Sequence, residues 1–193
     1  MNVLIIIAHP NPKSFNYALL ESIERGLQSV GHVTRTRDLH QQPFAPVLGA
    51  HELAGLQEGQ VAVAVREEQD GLSWADGLVF IYPLWWFDRP AVLKGWCDRV
   101  FTHGFAFSYD DKGAQGLLTQ RKALVIVTAG GTPQEFENMH VSAEQLLVPM
   151  TRGTLKYCGV DDVEGHLFFD IGGLSDKQRA DILAETETLG ASF

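Results

Sequence analysis

Three short apolar runs restrict what this chain can become: Val3–Ala8 (VLIIIA), Gly77–Tyr82 (GLVFIY) and Ala123–Thr128 (ALVIVT). None of them alternates polar with apolar residues. A strand with one wet face alternates, because successive side chains point to opposite sides; a strand covered on both faces does not. Each run therefore reads as a buried strand, and a parallel sheet between two helical layers is the arrangement that covers both faces. The segments between them supply helices. Phe15, Ala18, Leu19, Ile23, Leu27 and Val30 recur at helical spacing over Phe15–Ser29, and Gly31 follows as a stop.

The remaining punctuation extends the pattern. His32–Asp38 (HVTRTRD) alternates and predicts a second strand at a sheet edge. Val61–Asp70 and Pro90–Phe101 predict helices, the latter with proline in its first turn, where a missing N–H costs nothing. Ser142–Tyr157 predicts a helix broken or reset near Pro149, and His166–Asp170 a short fifth strand. Ser175–Leu189 predicts a C-terminal helix capped by Ser175. Leu39–Gly59 has no clear period. Strand and helix thus alternate about five times, which predicts an α/β fold: one doubly wound, five-stranded parallel sheet of order 2-1-3-4-5, helices on both faces, the flavodoxin-like arrangement. Ligands of such sheets sit beyond the carboxyl ends of the strands, where the strand order reverses.

Composition narrows the function. At 193 residues and 45% apolar content, one domain over 1–193 is expected, with a full core. The longest apolar run, Leu78–Phe87, is interrupted by Pro83 and is too short for the ~20 residues of a membrane helix. Val3–Ile7 has no basic residue ahead of it, so no signal peptide is expected. The net charge of −9 argues against a nucleic-acid partner. Cys97 and Cys158 form no CxxC and read as reduced thiols of a cytoplasmic protein. The seven histidines and two cysteines show no zinc-ligand spacing, so no metal is expected. Tyr82 ends the third strand where a phospho-acceptor receiver needs Asp, and no G-x-S-x-G supports a serine hydrolase.

Three loops fall at the expected switch point. The first, His9 to Asn16, lacks the glycines of a dinucleotide fingerprint. It offers hydroxyl and amide donors at a helix N-terminus, which suits phosphate; Ser14 also reads as a simple helix cap. The second, Pro83-Leu84-Trp85-Trp86-Phe87-Asp88-Arg89-Pro90, places three bulky aromatics where they cannot all enter one core face. They read as the wall of a flat ligand, or as a hydrophobic plug or dimer contact. The third, Thr128-Ala129-Gly130-Gly131-Thr132, lets backbone N–H groups approach a ligand, or is a plain turn. Together they describe a flavin site: a phosphate-bearing tail, a flat ring, and a polar edge met by N–H groups.

The chain resembles the flavodoxin-like NAD(P)H:quinone oxidoreductases of the DT-diaphorase type, in their shorter bacterial form. The resemblance rests on LIIIAHP at 4–10, SFN at 14–16, PLWWF at 83–87, LKGWCDRVF at 93–101, FAFSYDDKG at 105–113, TAGG at 128–131 and KYCG at 156–159. It implies ping-pong transfer of a hydride from NAD(P)H through a flavin to a quinone. His9, Ser14, Phe15 and Asn16 are then expected at the flavin tail, and Pro83, Leu84, Trp85, Trp86 and Phe87 at the ring. Thr128, Gly130 and Gly131 are expected at the polar edge, and Arg179 and Leu183 at the distal nucleotide of FAD; FMN is the alternative cofactor. The resemblance also implies a homodimer with shared sites, in which Phe107, Tyr109 and Tyr157 close over substrate. Gly131 and His140 are the implied catalytic residues. The family's tyrosine falls on Phe136, which has no proton to give. Two other roles stay open: an ancillary regulator of a potassium efflux system, and a flavodoxin-type electron carrier.

Overall fold

A computed structural model describes residues 1–193. Its strands are β1 (Asn2–Ile7), β2 (Val33–Asp38), β3 (Gly77–Pro83), β4 (Phe107–Asp110), β5 (Gly113–Gly116), β6 (Lys122–Thr128) and β7 (Asp162–Phe168). Five of them form the parallel sheet β2-β1-β3-β6-β7, which is order 2-1-3-4-5 when only that sheet is counted. Register is continuous from Val3 opposite Gly77 and Lys122 opposite Gly77 to Thr128 opposite Pro83 and Phe168.

Both faces of the central strands are covered. Leu4, Ile6, Phe80 and Val125 pack against Val65 and Leu72 of α3 (Val63–Trp74) and Trp96 and Val100 of α4 (Ala91–Val100). Ile5, Ile7, Val79 and Ile126 pack against Leu19, Ile23 and Leu27 of α1 (Phe15–Ser29), with Ile182 and Leu183 of α7 (Asp176–Ser192) beside them. Burying each such aliphatic side chain stabilises the fold by about 1.5–3 kcal/mol. The edge strand β2 alternates in burial, as its sequence does. No helix is long and apolar enough to cross a membrane.

Several elements differ from the sequence expectation. The aperiodic stretch 39–59 contains α2 (Ala50–Gln57), which buries none of its residues and is tied to α4 by the Glu52–Arg99 ion pair at 2.9 Å. The β4–β5 hairpin was not visible as a period because all of β5 is exposed. The fifth sheet strand starts at Asp162 rather than 166; its acidic outward positions disguise it, and its pairing with β6 defines it. A further short helix, α5 (Pro133–Asn138), follows the Gly-Gly loop behind a Thr132–Glu135 capping box. Helix α6 (Ala143–Met150) runs through Pro149 and continues as a π-helical stretch over Thr151–Lys156. Proline has no N–H for the regular ladder, and the Thr154 hydroxyl donates to the Pro149 carbonyl at 2.8 Å, five residues back. Ser175 caps α7 in a box with Gln178, as its position predicts.

Candidate active site

The carboxyl ends of β1, β3, β6 and β7 bring their loops to one edge. The Leu84 N–H donates to the Thr128 carbonyl at 2.7 Å, joining the loops after β3 and β6. Asp170 and Ile171 donate to the carbonyls of Gly131 and Ala129 at 2.9 and 3.1 Å, joining the loops after β6 and β7. The buried side chains of Asn16 and Thr128 bond each other at 2.9 Å, locking α1 to the end of β6. The Asn16 main-chain N–H, in the first turn of α1, is left without an acceptor.

The loop after β1 leaves donors open. Ser14 stands at the N-cap of α1, yet its hydroxyl accepts no N–H from the first turn. That oxygen is buried and has no hydrogen-bond partner. The N–H groups of Phe15 and Asn16, in the first helical turn, have no acceptor within the chain. Burial lowers the pKa of His9. Its Nδ1 stands 3.0 Å from the Asn11 nitrogen and 3.2 Å from the Asn11 carbonyl oxygen, so Asn11 holds that side of the ring and Nε2 is left without a partner in the chain.

The loop after β3 is a strained turn. Trp85 and Asp88 exchange backbone hydrogen bonds of 2.9 and 3.1 Å around Trp86 and Phe87, whose φ angles are +51° and +64°. Left-handed backbone costs a non-glycine residue about 1–2 kcal/mol. The fold gains nothing visible in return, since Trp86 is 97% exposed. Trp86→Asn, which tolerates this backbone, is therefore expected to raise stability by about 0.5–1 kcal/mol in urea unfolding. A loss of stability would show that the indole is part of the packing. The Trp85 ring lies 6.1 Å from that of His9, linking this turn to the first loop.

The loop after β6 is a bare donor surface. A Cβ on Gly130 would meet nothing within 4 Å, and the N–H groups of Gly130 and Gly131 have no acceptor. Gly131 faces the ring of Phe136. That ring is buried between Phe87, edge-on at 5.7 Å, and Phe169, tilted at 5.3 Å. Phe87, Gly131, Glu135, Phe136, Asn138 and Met139 line an adjoining concavity of about 430 Å³. His140 lies beyond it in an exposed left-handed turn, φ +58°, and makes no side-chain hydrogen bond.

Other expected site residues lie around this edge. The Arg179 guanidinium is 5.5 Å from the Phe15 ring and donates to the carbonyls of Ile171 and Leu174. Leu183 packs into the apolar layer under α1. Pro83 is buried at the end of β3. Phe107, Tyr109 and Tyr157 come together with His103, the two tyrosine hydroxyls 3.0 Å apart, and no ring contact joins them to the Trp85–Phe87 turn. The hydrogen bond shared with Tyr109 raises the Tyr157 pKa. Sequence reading missed Phe169 and Arg89. Phe169 falls just past β7, whose span was misplaced; Arg89 sits in the quoted loop but carries no motif. Burial pushes the Cys97 thiol up to about 12 and that of Cys158 to about 11, so neither supplies a thiolate near neutrality.

The sheet order and this open donor edge define a flavodoxin-like protein, and the model of that fold family matches residues 1–189. Among the relatives is an uncharacterized NAD(P)H oxidoreductase of Haemophilus influenzae, 37% identical over 93% of this chain and 89% of its own length. NAD(P)H dehydrogenase (quinone) 1 of Cavia porcellus is 33% identical over 94% of this chain and 73% of its own. The solved NAD(P)H:quinone oxidoreductase of Methanothermobacter marburgensis superposes with a TM-score of 0.89 at 34% identity, covering 100% of this chain and 96% of the other. The chain belongs to the flavodoxin-like NAD(P)H:quinone oxidoreductase family.

Proposed function

We propose that this protein is a flavin-dependent NAD(P)H:quinone oxidoreductase that works by a two-step, ping-pong hydride transfer. The observation that carries the reading is the set of main-chain donors without acceptors, at Phe15, Asn16, Gly130 and Gly131, grouped with the orphaned Ser14 hydroxyl at one sheet edge. A protein leaves few polar groups unpaired at such a place unless a ligand completes them. The donor set fits a flavin. Ser14, His9 and the first turn of α1 would hold the phosphate, where free N–H groups and the helix dipole favour an anion. Leu84, Trp85, Trp86 and Phe87 would flank the ring. Thr128, Gly130 and Gly131 would meet its polar edge.

The bound flavin supplies the chemistry of accepting a hydride from NAD(P)H and passing it to a quinone. The chain would orient both partners over the aromatic turn. Phe136 fills the tyrosine position with an aprotic ring, leaving the Gly131 N–H and the imidazole of His140 as proton-bearing groups of that segment. FAD is the proposed cofactor, with Arg179 and Leu183 toward its distal end; FMN would use the same phosphate and ring positions. A homodimer, with Phe107, Tyr109 and Tyr157 of one subunit closing the other's site, gives that exposed aromatic cluster a partner.

The test is the visible spectrum of the reconstituted protein. A bound-flavin spectrum should bleach on anaerobic NADH or NADPH and recover on adding a simple quinone. Chromatography of the released flavin decides FAD or FMN. Bound flavin that neither nucleotide bleaches would favour a carrier or regulatory role, and absence of binding would remove the flavin reading altogether.

A further inference from the structure

Arg89 places a buried positive charge directly after the aromatic turn. Its side chain is 7% exposed, and its Nε atom is buried with no acceptor. Its Nη1 donates to the Thr154 hydroxyl at 2.9 Å and to the Met150 sulfur at 3.0 Å, and lies 3.9 Å from the Cys97 sulfur. Every one of these partners is neutral. The one carboxylate nearby, Asp88, is half exposed, lies 3.7 Å from Nε, and accepts instead from the Arg89 backbone N–H at 2.7 Å. The remaining titratable groups that face the guanidinium are the buried Tyr82 hydroxyl and the Cys97 thiol, both neutral near pH 7 because burial raises their pKa. A buried charge without a hydrogen-bonded counter-ion is costly, so a position that keeps one invites a compensating charge from elsewhere.

The proposed reaction supplies one. A hydride carries two electrons and one proton. Its transfer oxidises NAD(P)H to NAD(P)+ and leaves the neutral oxidised ring with one negative charge until a solvent proton arrives. On the return step the quinone takes the hydride and one solvent proton to become the hydroquinone, and the charge disappears. We propose that Arg89 is the fixed counter-charge for the reduced cofactor, raising its reduction potential by position rather than by giving up a proton. The guanidinium suits this role because it stays charged at every working pH. The aprotic Phe136 leaves the role open, since that side chain cannot offset the charge by hydrogen bonding. This inference rests on the flavin reading above.

The experiment is a redox titration of the flavin-loaded wild type, Arg89→Met and Arg89→Lys, with flavin binding to each measured first by absorbance. Met matches the length of the stem and suits the Met150 and Cys97 surroundings. Arg89→Met should bind oxidised flavin within a few-fold of wild type. Its equilibrium constant for reduction should fall at least tenfold, a drop of about 30 mV for a two-electron couple. Arg89→Lys, which keeps the charge but loses the fork to Thr154 and Met150, should stay near the wild-type potential. An unchanged potential in Arg89→Met overturns the proposal and leaves Arg89 as a tie between the turn and the π-helical stretch. A wild type that binds no flavin defeats the underlying reading instead. Should Arg89→Met fail to fold, the pH dependence in Arg89→Lys decides. A buried ammonium loses its proton below the usual lysine range, so the potential should drop away from the wild-type slope as pH rises; parallel slopes throughout would overturn the proposal.

Discussion

Gly26→Ala is expected to destabilise the protein by about 3 kcal/mol, although alanine is the better helix former by about 1 kcal/mol. Gly26 lies toward the C-terminal end of α1, where α7 crosses with its own Gly190 in contact. A Cβ on Gly26 would press into the Glu187 carbonyl and lie 2.9 Å from the Ala191 nitrogen. A Cβ on Gly190 would meet the Ile23 carbonyl at 2.6 Å. The obstacles are backbone atoms on both sides, so no rotamer change makes room and the helices must separate. Separation uncovers Leu19, Ile23 and Ile182 together, which is why the clash outweighs the propensity gain. The control is Gly71→Ala in α3, where the nearest atom to a new Cβ is a Leu4 methyl at 3.9 Å. There only propensity acts, and stability should rise by about 0.5–1 kcal/mol. Urea midpoints at unchanged m-value measure both. A Gly26→Ala midpoint above wild type would mean that the two helices are not seated as closely as described.

This contact also shows what a sequence conceals. The apolar spacing of α1 is legible, because Leu19, Ile23 and Leu27 repeat on one face. That Gly26 is an interface rather than a weak point is not, because α7 lies 150 residues further on and has almost no apolar face of its own. The sheet was legible for the opposite reason. β1, β3 and β6 are buried on both faces, so their sequences need no partner to be recognised. β7 pairs on one side only and mixes Asp162, Glu164 and His166 into its run, so its start was lost.

The candidate site divides along the same line. Loops at strand ends announce themselves by glycine, proline and aromatic residues, and all three lie at one edge. Long-range side-chain pairings do not. Nothing local in the sequence joins Asn16 to Thr128, 112 residues apart, or Arg89 to Thr154, 65 apart. The resemblance places Asn16 at the ligand; that its amide also ties α1 to the end of β6 is not legible in the sequence. Strain is hidden as well, since Trp86 and Phe87 are poor residues for left-handed backbone and no turn rule places them there.

Ser14→Asp is expected to separate folding from cofactor binding by moving them in opposite directions. A carboxylate at the N-cap can accept the first-turn N–H bonds that the Ser14 hydroxyl leaves unmade, and it complements the helix dipole. The apo-protein should gain about 0.5–1 kcal/mol in urea unfolding. The same carboxylate would occupy the place proposed for a phosphate and repel it, while removing a hydroxyl donor. Flavin affinity should fall at least about 100-fold, or about 2.8 kcal/mol. Ser14→Ala divides the two explanations of this residue. As a pure cap, serine is worth about 1 kcal/mol of stability and nothing to the ligand. The structure gives the hydroxyl no cap bond and no other partner, so alanine should leave apo stability within about 0.3 kcal/mol of wild type and weaken flavin binding by about tenfold. Fluorescence quenching of free flavin measures the affinity, and urea unfolding of the flavin-free protein measures the stability. A Ser14→Ala protein that loses stability but keeps its affinity would return Ser14 to the role of a cap and shift the phosphate to His9 and the main chain. Affinity lost with stability intact would identify the buried hydroxyl as a binding group, because a merely structural serine has no means of sensing the cofactor.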